Sequence, residues 1–588
     1  MSYSNPQDTT DLIWRTRYRD ESAQPAEVTI EDTWKRVARA AASIERQPAV
    51  WSARFYDILH DFRFIPAGRI LAGAGTGRHI TLFNCFVMGP ITDSIDGIFE
   101  ALKEGAITMQ QGGGVGYDFS TLRPFGARAR ESGSIASGPV SFMRVWDAAC
   151  ATILSTGSRR GAMMATLRCD HPDIESFIDA KRTGGALTHF NLSVLITDSF
   201  MEAVKQDGPW PLVFPDQGSV WRVVRARDLW QRLCDSAHES AEPGLLFIDR
   251  INRENNLGYC ETLSSTNPCA EEPLPPYGAC NLGSLNLATF VLEPFTPSAR
   301  LDDDALRAAA RLAVRFLDNI IDVSSFPLAR QHEQVHRSRR VGLGITGLAD
   351  ALAMLCLRYD SEAARVLATD LMRGIRNAAY EESIELAREK SPFPAFRSEP
   401  YLRQPFIARL PEDLRHGIGR DGIRNSHLLA IAPAGSISLL AGNVSSGIEP
   451  LFGVESIRRV IEPDGRLRGV QLTDHAYQLW RARQTEWVPM PDYFVDAYSV
   501  APRDHLLMEA ALQPYVDGAI SKTVSLPAHF PSAALTAILQ NAYDLELKGC
   551  TVYREASRPG IMTHKHLTEP DSAAESVSRC CDIERESD

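Results

Sequence analysis

Chemistry-bearing side chains concentrate in one short stretch, Ser265-Thr266-Asn267-Pro268-Cys269-Ala270-Glu271-Glu272-Pro273-Leu274. It sets an amide, a thiol and a carboxylate at alternate positions: Asn267, Cys269 and Glu271. In an extended or looped backbone, side chains two apart point the same way, so all three can face one ligand. A thiol beside a hydrogen-bonding amide and a general base fits chemistry at a hydroxylated carbon. Pro268 and Pro273 disfavour regular secondary structure, so the segment reads as a loop. Composition alone leaves open a polar loop with an incidental cysteine.

Two other stretches invite a chemical reading. Ile431-Ala432-Pro433-Ala434-Gly435-Ser436-Ile437-Ser438 follows an apolar run and enters a helix-like one, and small residues at such a junction let backbone N–H groups converge on an anion. His332-Glu333-Gln334-Val335-His336 satisfies His-Glu-x-x-His, which on a helix puts two imidazoles on one face for zinc with a glutamate as base. No third protein ligand follows, and Arg337, Arg339 and Arg340 bring charge that disfavours a dication. The zinc metalloprotease reading is therefore the weak alternative, and no metal ligand is assigned.

These groups need elements to hold them. Residues Glu31 to Phe64 read as helical, with Trp34, Val37, Ala41 and Ile44 at helix spacing. Asp93 to Gln111 reads as a helix capped by Asp93 or Ser94 and ended by Gly112-Gly113-Gly114. Farther on, helical patterns alternate with short apolar runs such as Leu192–Ile196 and Leu428–Ala432, the texture of an α/β protein with buried strands. With 588 residues the chain fits several compact domains or one large α/β barrel with an N-terminal helical region. A net charge of −12 argues against broad affinity for nucleic acid polymers or anionic membranes, but not for small phosphorylated ligands. No signal-peptide core or bilayer-spanning run is visible, which implies a cytoplasmic protein. Eleven cysteines there are expected to be mostly thiols. From Thr568 to Asp588 the chain is polar and reads as a disordered tail bearing the adjacent pair Cys580-Cys581.

Asn267-Pro268-Cys269-Ala270-Glu271 resembles the Asn-x-Cys-x-Glu finger loop of ribonucleotide reductases. Cys280, in Tyr277-Gly278-Ala279-Cys280-Asn281-Leu282-Gly283-Ser284, falls eleven residues after Cys269 as in that family, and Phe83-Asn84-Cys85-Phe86-Val87 resembles its other redox-thiol segment. The resemblance covers roughly residues 30 to 560. It implies a ten-stranded α/β barrel with a central finger loop (65–560), an N-terminal helical region (1–64) and a flexible cysteine-bearing tail (561–588). It implies that Cys269 becomes a thiyl radical abstracting the ribose 3′-hydrogen, that Glu271 and Asn267 handle the 3′-hydroxyl, and that Cys85 and Cys280 supply two electrons and join as a disulfide. Substrate contacts would fall at Asn84, Gly114 and the phosphate loop Pro433, Ala434, Gly435, Ser436 and Ile437. Asp93, Arg123 and Arg130 match positions binding a deoxynucleoside triphosphate effector at a homodimer interface, and Ser155 to Met164 resembles the loop relaying effector identity.

The resemblance also bears on how the radical arises. Relatives served by a metal-bearing subunit carry adjacent tyrosines near the end of the catalytic chain. Here Lys548-Gly549-Cys550-Thr551-Val552-Tyr553-Arg554 puts Thr551 and Val552 in their place, and neither side chain can be oxidised in that way. The match points instead to adenosylcobalamin, with cobalt–carbon homolysis beside Cys269; the metal-subunit-dependent chain is the alternative. Asp170-His171-Pro172-Asp173 is not the cobalt-binding Asp-x-His-x-x-Gly motif. No N-terminal nucleotide motif is seen, so no overall ATP/dATP switch is expected. A ribonucleotide substrate, diphosphate or triphosphate, and a thioredoxin-like reductant are implied. A re-reducing role for Cys580 and Cys581 is in doubt because relatives space these thiols apart.

Overall fold

The computed structural model describes residues 6–78, 80–128, 135–153, 161–182, 185–215, 217–461, 467–555, 557 and 562–564. Nine strands carry the architecture: β1 (Cys85–Val87), β2 (Gly114–Asp118), β3 (Met163–Arg168), β4 (Phe190–Ile196), β5 (Gly244–Phe247), β6 (Ala279–Asn286), β7 (Val341–Thr346), β8 (Thr523–Leu526) and β9 (Gly549–Arg554). With the flanking strand Phe64–Pro66 they form one ten-stranded sheet.

The sheet is made of two parallel halves. Strands β1 to β5 pair side by side in parallel order. In the other half β9 is parallel to β8 and β6 is parallel to β7. Bridges Leu343↔Leu429 and Ile431↔Ile520 join β7 to β8 through the extended segment 428–432, which supplies the tenth member of a closed ring. Where the halves meet, the pairing turns antiparallel: β6 against β1 and β9 against β5. Closure leaves no free edge, and parallel neighbours require helical crossovers on the outside.

Strand periodicity decides what faces inward. On β6, Asn281 reaches outward to the carbonyl of Leu317 in helix Asp303–Val323, 2.8 Å away. Its even-numbered neighbours, Cys280 among them, therefore face the interior. Gly116 on β2 and Gly342 on β7 also face inward: a β-carbon there would stand 1.9 Å from the Thr266 carbonyl oxygen and 2.5 Å from Glu272 Oε1. Glycines leave the width for a hairpin, Ser265–Thr266 paired with Pro273–Leu274, to thread the barrel.

The N-terminal region is helical as expected, but Glu31–Phe64 is two helices rather than one run. The first, Ile30–Ala42, starts with a Thr29/Asp32 capping box, and the second, Pro48–Leu59, with proline in its first turn. Trp34, Val37 and Ala41 are buried, whereas Ile44 falls in the link and is 41% exposed. Among the described residues no helix is long and apolar enough to cross a membrane.

Candidate active site

The hairpin tip is a tight turn, in keeping with the loop that the flanking prolines predict. Ala270 N–H donates to the Asn267 carbonyl (3.1 Å), and Ala270 sits in the left-handed region at φ 69°. Proline at the second position of such a turn is pre-set for it. The turn is clamped from both halves of the barrel: Asn191 Nδ2 donates to the Pro268 carbonyl (2.8 Å), and Ala519 N–H to that of Glu271 (2.9 Å). Asn267 locks the hairpin internally, accepting at Oδ1 from the Glu272 N–H at 3.0 Å.

This geometry gathers side chains far apart in sequence. Asn267 Nδ2 donates to Glu271 Oε1 at 2.7 Å and approaches Cys85 Sγ at 3.1 Å, and that thiol lies 3.6 Å from Glu271 Oε1. Cys280 is directly opposite Cys85 across the β1/β6 seam. Opposed antiparallel residues point to one face with Cα atoms about 4.5–5.5 Å apart, within the roughly 4.4–6.8 Å a disulfide spans. Both thiols are free and fully buried. Burial, followed by the nearby Glu271 and Glu272 carboxyls, pushes Cys85 well above the ordinary thiol range; burial and then Glu272 do the same to Cys280. Both are thus held as neutral thiols.

Cys269, partly exposed, faces a cavity of about 460 Å³. Pro433 and Ala434 line it on one side and Thr551, Val552 and Tyr553 on another. Asn84 and Gly114 lie beside the turn: the Asn84 carbonyl accepts from the Gly114 N–H (2.7 Å), and a β-carbon at Gly114 would meet Pro268 Cγ at 3.2 Å. Asn84 Oδ1 is buried and has no partner.

The family model for the ribonucleotide reductase barrel domain matches residues 83–553, and that for the all-alpha domain of the same family matches residues 11–79. The chain belongs to the ribonucleotide reductase family. A vitamin B12-dependent ribonucleoside-diphosphate reductase of Mycobacterium tuberculosis (strain CDC 1551 / Oshkosh) is 40% identical over 582 residues, 95% of this chain and 80% of the relative. A Thermoplasma acidophilum protein of the same name is 35% identical, covering 86% and 65%. The ribonucleoside-diphosphate reductase large subunit of vaccinia virus is 30% identical, covering 72% and 59%.

The other expected sites lie partly within the described residues. Ser94, not Asp93, caps helix Ile95–Gln110 by accepting from Gly97 N–H. Asp93 is freed to pair with Arg123 at 2.6 Å, both half-buried, while Arg130 and loop residues 155–160 lie outside the described residues. In the phosphate loop the Ala434 N–H is taken by Ser446 Oγ (2.7 Å), and Ser436 Oγ is bonded to the Tyr18 hydroxyl (2.7 Å). The cradle is therefore tied into the protein rather than open at every N–H. His332 and His336 share a helix as expected, but their rings stack 4.0 Å apart and His336 faces Asp322. His171 is buried against the Leu122 carbonyl at 2.8 Å. Cys580 and Cys581 lie outside the described residues.

Sequence reasoning missed three charged groups at the reductase core. Lys522 and Glu449 form an ion pair on the cavity wall, and Glu272 lies on the Cys280 side of the hairpin. Only the Glu271-Glu272 doublet left a signal: neighbouring residues on an extended arm face opposite ways, so one carboxyl had to point away from the other.

Proposed function

We propose that the protein is a vitamin B12-dependent ribonucleoside-diphosphate reductase in which Cys269 starts the reaction and Cys85 and Cys280 supply its electrons. The observation that carries this reading is the meeting of Asn267, Glu271 and Cys85 within 2.7–3.6 Å, with Cys280 facing Cys85 across the seam. On this reading Cys269 takes the 3′-hydrogen of the ribose, Glu271 the 3′-hydroxyl proton, and Asn267 orients that hydroxyl. A neutral Cys85 thiol beside the 2′-hydroxyl protonates it as it departs as water. The two sulfurs then join, their two electrons and the hydrogen of the second thiol reduce the 2′ carbon, and the hydrogen held by Cys269 and the proton held by Glu271 return to the 3′ carbon and its oxygen.

Asn84, Gly114 and residues 433–437 would seat the substrate, the unpartnered Asn84 Oδ1 being free to accept from it. The diphosphate preference rests on the names of the mycobacterial and Thermoplasma relatives. Adenosylcobalamin fits the site because Thr551 and Val552, neither of them oxidisable, leave open a cavity reaching Cys269. When bound it supplies the one-electron chemistry that turns the Cys269 thiol into a radical. Lys522, Ser521 and the Thr551–Tyr553 wall would hold it.

Asp93, Arg123 and Arg130 would bind a deoxynucleoside triphosphate effector in a homodimer, two guanidiniums serving its phosphates. Free thiols at the described cysteines suit a cytoplasmic enzyme re-reduced by a thioredoxin-like protein, with or without Cys580 and Cys581. The division into a helical region (1–64), barrel (65–560) and tail (561–588) is supported by ring strands running from Cys85 to Arg554, except that Met562–His564, at the start of the expected tail, forms a strand paired with Ser456–Arg458. The test is reduction of ribonucleoside diphosphates with adenosylcobalamin and a dithiol alone. Deoxynucleotide formation is expected; an absolute need for an iron- or manganese-bearing partner protein would favour the metal-subunit alternative.

A further inference from the structure

The N-terminal helical region reaches the phosphate loop through one tyrosine. Helix Pro6–Ile13 runs on into a wider helical turn, Trp14–Tyr18, and packs against helix Ser436–Leu440, which leaves that loop. Tyr18 is buried, and its hydroxyl lies 2.7 Å from the oxygen of Ser436, which is also buried. The two residues are 418 positions apart, one in the helical region and one in the barrel. A buried network fixes the tyrosine from behind. Arg36 Nη2 donates to the Tyr18 carbonyl (3.3 Å), and Arg36 Nε donates to Glu27 Oε1 (2.7 Å). Glu27 Oε2 accepts from Thr33 Oγ1 (2.8 Å) and from the Asp20 N–H (2.7 Å). Trp14 Nε1 donates to Thr33 Oγ1 at 2.9 Å, so both ends of the turn are tied to one network.

We propose that Tyr18 is a positioning residue for the substrate's phosphates: its hydroxyl bonds Ser436 and holds the phosphate loop in its binding shape. The inference rests on the reading of residues 433–437 as that loop. Two ties then bracket the cradle. Ser446 Oγ takes the Ala434 N–H at 2.7 Å, where the loop lines the cavity, and Tyr18 takes Ser436 two residues on. Between them stands Gly435, which has no side chain to restrain it and the widest backbone freedom of any residue. A loop left to order itself around an anion binds it more weakly than one already ordered. The phenol is the more acidic of the two hydroxyls and the better donor, so the bond runs from Tyr18 to Ser436 Oγ. Tyr18 acts only at the phosphate end, because the ribose is handled at Asn267 and Glu271 on the hairpin. Its effect therefore falls on the phosphates and not on the nucleoside.

The test compares the binding of cytidine diphosphate and of cytidine to the full chain by equilibrium dialysis, without cobalamin. Tyr18→Phe keeps the ring and deletes the hydroxyl. It is expected to weaken cytidine diphosphate about fivefold, the effect of one ordinary hydrogen bond, and to leave cytidine unchanged. Ser436→Ala cuts the same bond from the barrel side and should likewise weaken the diphosphate alone. Adding Tyr18→Phe to Ser436→Ala should then cause no further loss. Circular dichroism confirms folding of each variant. A bond that only docks the helical region on the barrel would leave both affinities unchanged or lower both alike. Either result in Tyr18→Phe, or a further fivefold loss in the double variant, overturns the proposal. Failure of the phosphate-loop reading shows separately, in the wild type: a chain that binds cytidine as tightly as cytidine diphosphate has no phosphate site there, and the proposal falls with it.

Discussion

Replacing Gly116 by alanine is the sharpest test of how the barrel holds its hairpin. The new β-carbon would lie 1.9 Å from the Thr266 carbonyl oxygen and 2.9 Å from its carbon, both backbone atoms that cannot swing aside. Ordinary contact begins near 3.4 Å, so the hairpin base must retreat by about 1.5 Å. It cannot do so freely, because Asn191 and Ala519 hold the turn from two sides. Overpacking costs about 1–3 kcal/mol and each strained hydrogen bond about 1 kcal/mol, so unfolding in urea should show a loss of about 2–4 kcal/mol. The same retreat moves Asn267, Cys269 and Glu271 off their positions, and a displacement of about 1 Å costs on the order of 100-fold in kcat. The control is Gly208→Ala, where the added carbon meets only the Ala203 oxygen at 3.8 Å, and neither property should change. A Gly116→Ala enzyme with wild-type stability and kcat within about twofold would refute this picture of the threaded hairpin.

Cys269→Ser should abolish nucleotide reduction while equilibrium dialysis finds substrate affinity nearly unchanged, because the sulfur acts in chemistry rather than in binding. Among the described cysteines, alkylation of the native protein should label the exposed Cys356 first and leave the fully buried, neutral Cys85 and Cys280 unmodified until unfolding, as read by peptide mass spectrometry. Burial pushes Lys548 down from 10.5 to about 8, so between these values the folded chain binds fewer protons than the unfolded one and stability rises with pH. Urea denaturation across that window should show the rise in the wild type and its loss in Lys548→Met.

Much of the site was legible because its chemistry is local. The spacing of Asn267, Cys269 and Glu271 reports one tight turn, and the prolines around it reported a loop. The apolar runs Leu192–Ile196 and Leu428–Ala432 became β4 and the ring segment 428–432 because parallel strands with helices outside and packed side chains inside read as continuous apolar stretches. Pairing across the barrel was not legible. That Cys85 stands opposite Cys280 depends on an antiparallel seam between elements almost 200 residues apart, and periodicity carries no information about partners. Only the family resemblance linked them. The link at Ile44 was missed because helix spacing continued by chance past the real end at Ala42. Which of Asp93 and Ser94 caps its helix was decided by Arg123, a tertiary partner that draws the Asp93 carboxylate away. Lys522 and Glu449 look like ordinary surface charges until the fold brings them together on the cavity wall.

The most direct measurement is a single turnover by fully reduced chain with ribonucleoside diphosphate and adenosylcobalamin, no external reductant and no second protein, followed by peptide mapping of the quenched enzyme. The account requires about one deoxynucleotide per chain and a Cys85–Cys280 cross-linked peptide in matching amount. Deoxynucleotide formed while Cys85 and Cys280 both remain thiols would contradict it.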